Sequence, residues 1–385
     1  DRGNRTEESY LGTDGRPVAN KNGIARTTWK YDERGNETEL AFFGMAGEPV
    51  LHRDGYAQAV AKCDERGNTI ETVFLGLDGN PVLIKDGYAR VRLTYDSRGN
   101  RTECAYFGTN DLPVLHRDGN ARWTATYDGR GNEVERAFFD AYGRPLALKQ
   151  GVARMTTKFD ERGNRVEEAY FGPDGQPVLS TYGVAAVRWS YDQRDDAVET
   201  AWFGVDGRPI ISTDGYARET LERDARGNVV RRARFGVDGL PSIGFDGSSS
   251  CTYLYDDRGH VIEERHFGVD GTPAIFSKRY ATRKAKWDER GNQMEEMFFG
   301  TDGAPAPDTS GAPIVRWKHD ERGWIVEVSL WASENQPALN RDGYSVTRKA
   351  CDDRGNLVEE SYFDGAGLPA RTAGVYSVRK FGFDD

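Results

Sequence analysis

Acidic and basic side chains recur along this chain at positions 32 residues apart. In the second copy of the repeat, Asp32, Arg34 and Glu39 follow one another within eight residues. All twelve copies keep the Asp and the Arg, whereas the Glu is replaced once, by Arg231. Such rows could line an ion-binding or catalytic groove. Because Arg presents a fork that matches a carboxylate, we prefer a structural pair in which the Arg of each turn binds the Glu of its own hairpin.

Two other patterns could carry metal or nucleophilic chemistry. Asp-Gly pairs such as Asp14-Gly15 and Asp302-Gly303 suggest calcium, but their spacing matches no calcium loop and turn formation explains them. His319 and Cys351 occupy one position in adjacent copies, where a nucleophilic pair is conceivable. Most copies carry Tyr or Phe there, so we interpret both residues as substitutions in an aromatic column. We expect no catalytic residue, no metal and no cofactor.

A row of Arg side chains points outward from alternating strands and is the candidate binding surface. Its members are Arg90, Arg92, Arg122 and Arg154, with Trp123 and Trp202 as exposed aromatic platforms. Acids such as Glu168 lie on the strand opposite. One interpretation is a stripe for a long anionic partner such as a glycan. The preferred one is a solvated surface whose opposite charges pair along the array.

The composition excludes several classes of protein. The formal net charge of −10 argues against a general nucleic-acid binder, which needs a basic surface. No apolar run is long enough for a transmembrane helix, and no signal peptide is visible. The four cysteines have neither disulfide-framework nor metal spacing, so we expect four free thiols.

The elements that must position these rows are set by the period itself. The tripeptide Arg-Gly-Asn or a close variant recurs every 32 residues, and twelve copies fill the 385-residue chain. A strict period of this length indicates a stacked repeat architecture. Each copy contains three turn signals. The first is the Asp-x-Arg-Gly-Asn turn, in which Gly35 supplies a positive φ; the second ends at Pro49; the third is Asp-Gly.

Between the turns, apolar and polar residues alternate with period two, as in residues 89–95, which predicts half-buried strands. The Phe that precedes the second turn, Phe43 and its equivalents, is predicted to form a continuous buried aromatic spine. We therefore expect an all-β fold of twelve tandem hairpin repeats, stacked as an elongated or superhelical β-solenoid. A closed ring of repeats is the alternative. Residues 1–385 are expected to be one continuous array that is part of a longer one.

Two short elements resemble known repeats. The Tyr-Asp-x-x-Gly-Asn element, at residues 95–100 and 127–132, resembles the YD, or RHS, repeats of bacterial surface and toxin proteins. Residues 170–178 are similar to the aromatic-Gly hairpins of cell-wall and glucan-binding repeats and of MORN repeats. Both resemblances imply β-hairpin arrays that act as shells, stalks or binding surfaces, not as enzymes. The 32-residue unit is longer than theirs, and its Pro and loop Arg are not in their patterns, so we transfer no functional residue.

The sequence thus favours a non-enzymatic structural or adhesive repeat protein, extracellular or on the cell surface, that self-associates end to end into a fibre or ring. Its expected partners are neighbouring repeats or other copies of itself, with glycans or the cell envelope as further candidates and no nucleic acid. One alternative is a carbohydrate-binding array that uses Trp123, Trp202 and Trp331 for stacking. The other is an RHS-like shell that encapsulates a toxin.

Overall fold

The computed structural model describes residues 3–148, 151–277, 279–371 and 377–382. Every regular element in this part of the chain is a β-strand, which confirms the all-β prediction. No helix in it is long and apolar enough to cross a membrane. The chain divides into two compact units. The first contains residues 1–188 and 203–208, and the second contains residues 189–202 and 209–385.

Twelve strands begin in the first unit: β1 Glu7–Ser9, β2 Arg26–Tyr31, β3 Glu37–Phe43, β4 Gln58–Cys63, β5 Thr69–Leu75, β6 Arg90–Tyr95, β7 Arg101–Phe107, β8 Arg122–Tyr127, β9 Glu133–Phe139, β10 Arg154–Phe159, β11 Arg165–Phe171 and β12 Ala186–Tyr191. Thirteen begin in the second: β13 Ala197–Phe203, β14 Arg218–Arg223, β15 Val229–Phe235, β16 Ser250–Tyr255, β17 Val261–Phe267, β18 Thr282–Trp287, β19 Gln293–Phe299, β20 Ile314–His319, β21 Ile325–Ser333, β22 Gln336–Pro337, β23 Val346–Cys351, β24 Leu357–Phe363 and β25 Val378–Lys380.

The unit of the fold is an antiparallel hairpin, seen in β2 and β3. Arg26 pairs with Phe43, and the register runs without a break to Lys30 opposite Glu39. It then shifts at a bulge, so that Tyr31 lies opposite Glu37. The same shift recurs in other hairpins of both units, for example at Lys62 of β4. A bulge bends the strand and re-aims the side chain that follows it.

The first turn is closed by its own Asp side chain. One carboxylate oxygen of Asp32 accepts the backbone N–H groups of Arg34 and Asn36, both at 2.9 Å. The other oxygen accepts the Asn36 side-chain amide at 2.8 Å. Gly35 has a φ of +92°, as the sequence predicts for this position. The turn therefore uses both oxygens of the conserved carboxylate.

The second and third turns return the chain to the next hairpin. Pro49 follows the second turn and makes only an isolated bridge to Phe43, which suits a residue that has no N–H for a ladder. Val50 then donates its N–H to the Phe42 carbonyl at 3.0 Å. In the third turn the His52 N–H donates to the carbonyl of Tyr56 at 2.7 Å.

Consecutive hairpins continue one antiparallel ladder. Strand β3 pairs with β4 of the next copy through Glu39, Leu40 and Ala41, so each copy adds two strands. Neither unit closes into a ring. Among the described residues, β1 pairs with β2 alone and β25 pairs with β24 alone. An open stack of β-hairpins is thus confirmed, and the ring alternative is wrong for both units.

The tightest packing lies where one copy meets the next. A small residue precedes the first strand of most hairpins and is almost fully buried, as in Ala57 and Ala89. Ala57 donates its N–H to the Leu75 carbonyl and accepts one from Phe42, so it connects two hairpins through its backbone. The pattern of turns and alternation does not predict this burial, although Ala or Ser fills the position in most copies.

We predict that Gly99→Ala lowers the free energy of unfolding by about 1–2 kcal/mol, because Gly99 has a φ of +88° and a left-handed L-residue is strained. No atom lies within 4 Å of the added Cβ, so the effect isolates the backbone. Urea unfolding measures it. Gly129→Ala is the matched control, since that first-turn glycine also has open space around its Cβ. A loss of equal size in Gly129→Ala would contradict the assignment to turn conformation.

Candidate functional site

In several copies the recurrent Glu divides its two oxygens between its own hairpin and the next one. Glu71 accepts a hydrogen bond from Lys62 of its own hairpin at 2.8 Å through Oε1. Through Oε2 it accepts one from Arg92 Nε of the next hairpin at 2.9 Å. Glu167, between Lys158 and Arg188, has the same arrangement in salt bridges of 2.7 Å. The charged row therefore joins neighbouring copies.

These bridges shift the acidity of the carboxyl groups. Partial burial of Glu71 raises its pKa, but the hydrogen bonds from Arg92 and Lys62 outweigh burial and hold the pKa at about 2. The pKa values of Glu167, Glu295 and Glu327 are lowered in the same way, against the effect of their burial. Each of these groups is bound as the carboxylate.

The guanidinium groups that reach these Glu residues also lie over aromatic rings. Arg92 lies 4.5 Å from the ring centroid of Phe107, and Arg348 lies 4.5 Å from that of Phe363. The rings stacked in this way are Phe43, Phe107, Phe139, Phe171, Phe203, Phe235, Trp331 and Phe363. They are half-buried, so the prediction that this column is the buried spine is wrong.

The buried aromatic column is one residue earlier. Phe42 is 7% exposed and stacks on His52 at a centroid distance of 5.0 Å, while Tyr56 contacts it at 5.7 Å. Because side chains alternate across a strand, Phe42 and Phe43 face opposite sides of the sheet. The third turn covers the Phe42 side, which makes that side the core.

The Arg of the first turn does not bind the Glu of its own hairpin, so the predicted pair of Arg34 with Glu39 is wrong. Arg34 instead donates from Nη1 to the backbone carbonyl of Glu65, in the first turn of the next copy, at 2.6 Å. The same contact recurs in the second unit, where Arg290 donates to the Glu321 carbonyl at 2.8 Å. The cation that binds the Glu39 carboxylate is Lys30, whose ammonium lies 2.9 Å away.

The Tyr that ends the first strand of the hairpin forms a third link between copies. Tyr95 donates its hydroxyl to the Thr69 carbonyl of the preceding copy at 3.1 Å, and Tyr31 donates to the Arg5 carbonyl at 2.8 Å. Trp287 makes the equivalent bond through its indole N–H. His319 and Cys351 occupy this same position, as expected from the sequence.

The one exception to the Glu column is a charge-swapped pair. Arg231 takes the Glu position, and Glu222 takes the Lys position opposite it, with Nη1 and Oε1 3.0 Å apart. The next strand carries Ser250 and Thr252 at the positions that Arg90 and Arg92 take in another copy. Arg231 is therefore paired within its own hairpin and faces no Arg at these positions of the next strand.

The predicted binding surface is occupied by contacts within the protein. Arg90 and Arg92 contact Glu71, and Arg122 contacts Glu103 at 2.9 Å. Arg154 contacts Glu135 at 2.9 Å. The acids that bind the row belong to the Glu71 column, with Asp111 as a further partner of Arg90 and Arg92.

The acids expected opposite the basic row have other partners. Glu168 binds Arg165 at 2.7 Å and accepts the Tyr170 hydroxyl.

The Trp residues proposed as stacking platforms are half-buried and covered. The Arg136 guanidinium lies 4.2 Å from the Trp123 ring centroid. Trp202 packs edge-on against Tyr216 at 5.2 Å, and Trp331 lies under an Arg. The interpretation of Trp123, Trp202 and Trp331 as open platforms is wrong.

The remaining reactive groups have ordinary structural surroundings. Among the described residues, no three His, Cys, Asp or Glu side chains are grouped closely enough to hold a metal ion. In the second turn, Asp78 accepts the backbone N–H of Asn80, so this carboxylate serves its turn. All four cysteines are free, and burial raises the pKa of the Cys104 and Cys251 thiols.

Two charged or titratable side chains replace aromatic rings in the buried column of the second unit. Arg234 takes the Phe42 position and binds Asp246 at 2.6 Å. Burial raises the pKa of Asp246, but the bond from Arg234 outweighs it, and the pKa is lowered. His266 is 2% exposed and stacks on Phe276 at 4.2 Å. Both substitutions are visible in the sequence, but the sequence pattern predicts the buried column at the Phe43 position, one residue too late.

Comparison with known proteins gives no family. No family model and no curated protein matches the sequence. Among solved structures, the chain is similar to the crystal structure of TcdB2-TccC3, with 13% identity and a TM-score of 0.29 over 93% of this chain and 20% of that one. For the Photorhabdus luminescens Tc holotoxin pore the identity is 12% and the TM-score 0.20, over 95% of this chain and 22% of that one. The chain spans about a fifth of the length of these structures.

We predict that Glu71→Gln destabilises the protein by about 1–2 kcal/mol at pH 7. The folded pKa of about 2 lies below the ordinary value of 4.5. The ion pairs therefore stabilise the fold above about pH 4.5, and this contribution is lost as the pH falls towards about 2. The difference in the free energy of unfolding between wild type and Glu71→Gln should decrease as the pH falls through this range. Urea unfolding at a series of pH values measures it, with the exposed Glu65→Gln as control. A difference that does not change with pH would contradict the assignment.

We predict that Arg231→Glu destabilises the protein by about 0.5–1 kcal/mol, because two carboxylates then face each other across β14 and β15. Adding Glu222→Lys should restore the stability, since it recreates the pair found in other copies. A double-mutant cycle of unfolding free energies measures the coupling. If the effects of the two changes simply add, the charge-swap interpretation is incorrect.

Proposed function

We propose that this chain is a non-enzymatic structural repeat protein that serves as a continuous wall or spacer. The observation that supports the proposal is that the polar groups of neighbouring copies bind one another. Carboxylate, guanidinium and hydroxyl groups that could have served a ligand are engaged between copies. Position outside the cell, adhesion, self-association and encapsulation of a toxin stay predictions.

One junction in the first unit contains all three types of link. It joins hairpin β4–β5 to hairpin β6–β7. Arg92 binds Glu71 of the preceding copy, and Tyr95 donates to the Thr69 carbonyl. Arg66 donates to the backbone carbonyl of Ser97. These links lie at the middle of the strands, at their ends and at the turns, so they resist separation of the copies along the whole hairpin.

Repeat arrays derive their stability from contacts between nearest neighbours. Polar links of this kind contribute about 0.5–1.5 kcal/mol each. They add to the backbone ladder between Val73 and Arg90 and to the packing of Phe74 on Tyr88 at 5.8 Å. A junction built in this way suits a protein that must hold its length under load or enclose a space.

We predict that the triple variant Arg66→Ala, Arg92→Ala, Tyr95→Phe weakens this junction by about 2–3 kcal/mol. Single-molecule pulling on the chain ends should show force peaks, and the release of one 32-residue copy should lengthen the chain by about 110 Å. One peak should fall to lower force in the triple variant.

The control variant is Arg16→Ala, Arg53→Ala, Tyr142→Phe, which changes exposed side chains whose ion pairs and ring contact lie within their own copy. Its peaks should match those of the wild type. A wild-type chain that extends without force peaks would overturn the proposed structural role.

A further inference from the structure

The ring contacts of the buried aromatic column in the first unit end at one copy. Ring contacts run from Phe42 through Tyr56, Phe74, Tyr88 and Tyr106 to His116. In the third turns, Tyr56 and Tyr88 are the rings that link one strand to the next. The following copy carries Asn120 at this position. The other copies of the first unit carry Ile24, Val152 and Val184, so Asn120 is the one residue at this position with neither an aromatic nor an aliphatic side chain.

The place of the missing ring is defined by the copies that have it. Tyr56 lies between Phe42 and Phe74, at centroid distances of 5.7 and 4.9 Å. Tyr88 lies between Phe74 and Tyr106, at 5.8 and 4.8 Å. By the same geometry, a ring at position 120 would lie between Tyr106 and Phe138.

A cavity of about 360 Å³ is found at this place, and both Tyr106 and Phe138 line it. Leu148 and Trp123 complete its apolar wall. Planar apolar walls favour a flat ring, because aromatic pairs stack or meet edge to face at centroid distances of about 4.5–7 Å. The cavity therefore has the shape and lining of a site for one aromatic ring.

The cavity also has polar groups for a ring substituent. Asn120 is 4% exposed, and its Nδ2 has no hydrogen-bond partner among the described residues. A buried donor without a partner is destabilising, and a ligand acceptor would satisfy it. Asp118 lines the same cavity, and its carboxylate, which lies 3.2 Å from His116 Nδ1, can accept a further hydrogen bond. Arg136 holds Glu133 through Nε and Nη2 and covers Trp123, which fixes this side of the wall.

We propose that this cavity binds one small phenol-type ligand, with the ring between Tyr106 and Phe138. The ligand hydroxyl would accept a hydrogen bond from Asn120 and donate one to Asp118. The phenol ring can contact both aromatic walls, and its hydroxyl can bond to both polar groups. Cyclohexanol has the same hydroxyl but no flat ring, so it should bind more weakly.

The test is the number of phenol sites per chain, measured by titration calorimetry and ligand-observed NMR. Wild type should bind one phenol with a dissociation constant on the order of 1 mM, as expected for so small a ligand. Asn120→Tyr should fill the cavity, raise the thermal midpoint and weaken phenol binding at least tenfold. Methyl glucoside in place of phenol tests whether the site takes a sugar ring instead.

The matched variant is Tyr88→Asn, which recreates the same gap between Phe74 and Tyr106. It should raise the stoichiometry from one phenol to two. If Asn120→Tyr does not fold, the stoichiometry of Tyr88→Asn decides the question. No saturable binding of phenol to wild type, equal binding of cyclohexanol or methyl glucoside, or undiminished binding to Asn120→Tyr would each overturn the proposal.

Discussion

The structure depends on a carboxylate that is shared between two copies. A single hairpin such as β4–β5 has a Lys to offer its Glu71, but the second oxygen is satisfied only by Arg92 of the next hairpin. Because Glu71 is only 12% exposed on its side chain, an unbound oxygen would be costly there. The hairpin therefore needs its neighbour for electrostatic reasons as well as for apolar burial.

The period, the turns and the strand boundaries could be predicted from the sequence, because each depends on local chemistry. Asp32 and Gly35 specify the first turn by themselves, one through hydrogen bonds and the other through its positive φ. Pro49 marks the return in the same local way. All-β structure then follows from alternation between these turns. The buried Ala57 position could also have been found, since a small residue recurs there.

The partners of the charged groups could not be predicted in the same way, because they belong to different copies. Arg34 is two residues from Asp32 and five from Glu39 in sequence, yet it binds the carbonyl of Glu65. The sequence is equally ambiguous about which residue of the aromatic pair faces the core. Phe42 and Phe43 are both large and adjacent, and only the third turn, which places His52 and Tyr56 over one of them, decides which is buried.

The shared carboxylate gives such copies a direction, because a copy such as β6–β7 offers Arg92 as a donor on one side and Glu103 as an acceptor on the other. A copy that carries both can be duplicated or deleted in whole units without leaving a mismatched charge, so the length of the protein can change during evolution in steps of one repeat. The copy with Arg231 is different, since it lacks the acceptor and is followed by a copy that carries Ser250 and Thr252 at the donor positions. A copy with Arg at the donor positions, placed after Arg231, would bring like charges together, so insertion of such a copy is disfavoured at this junction.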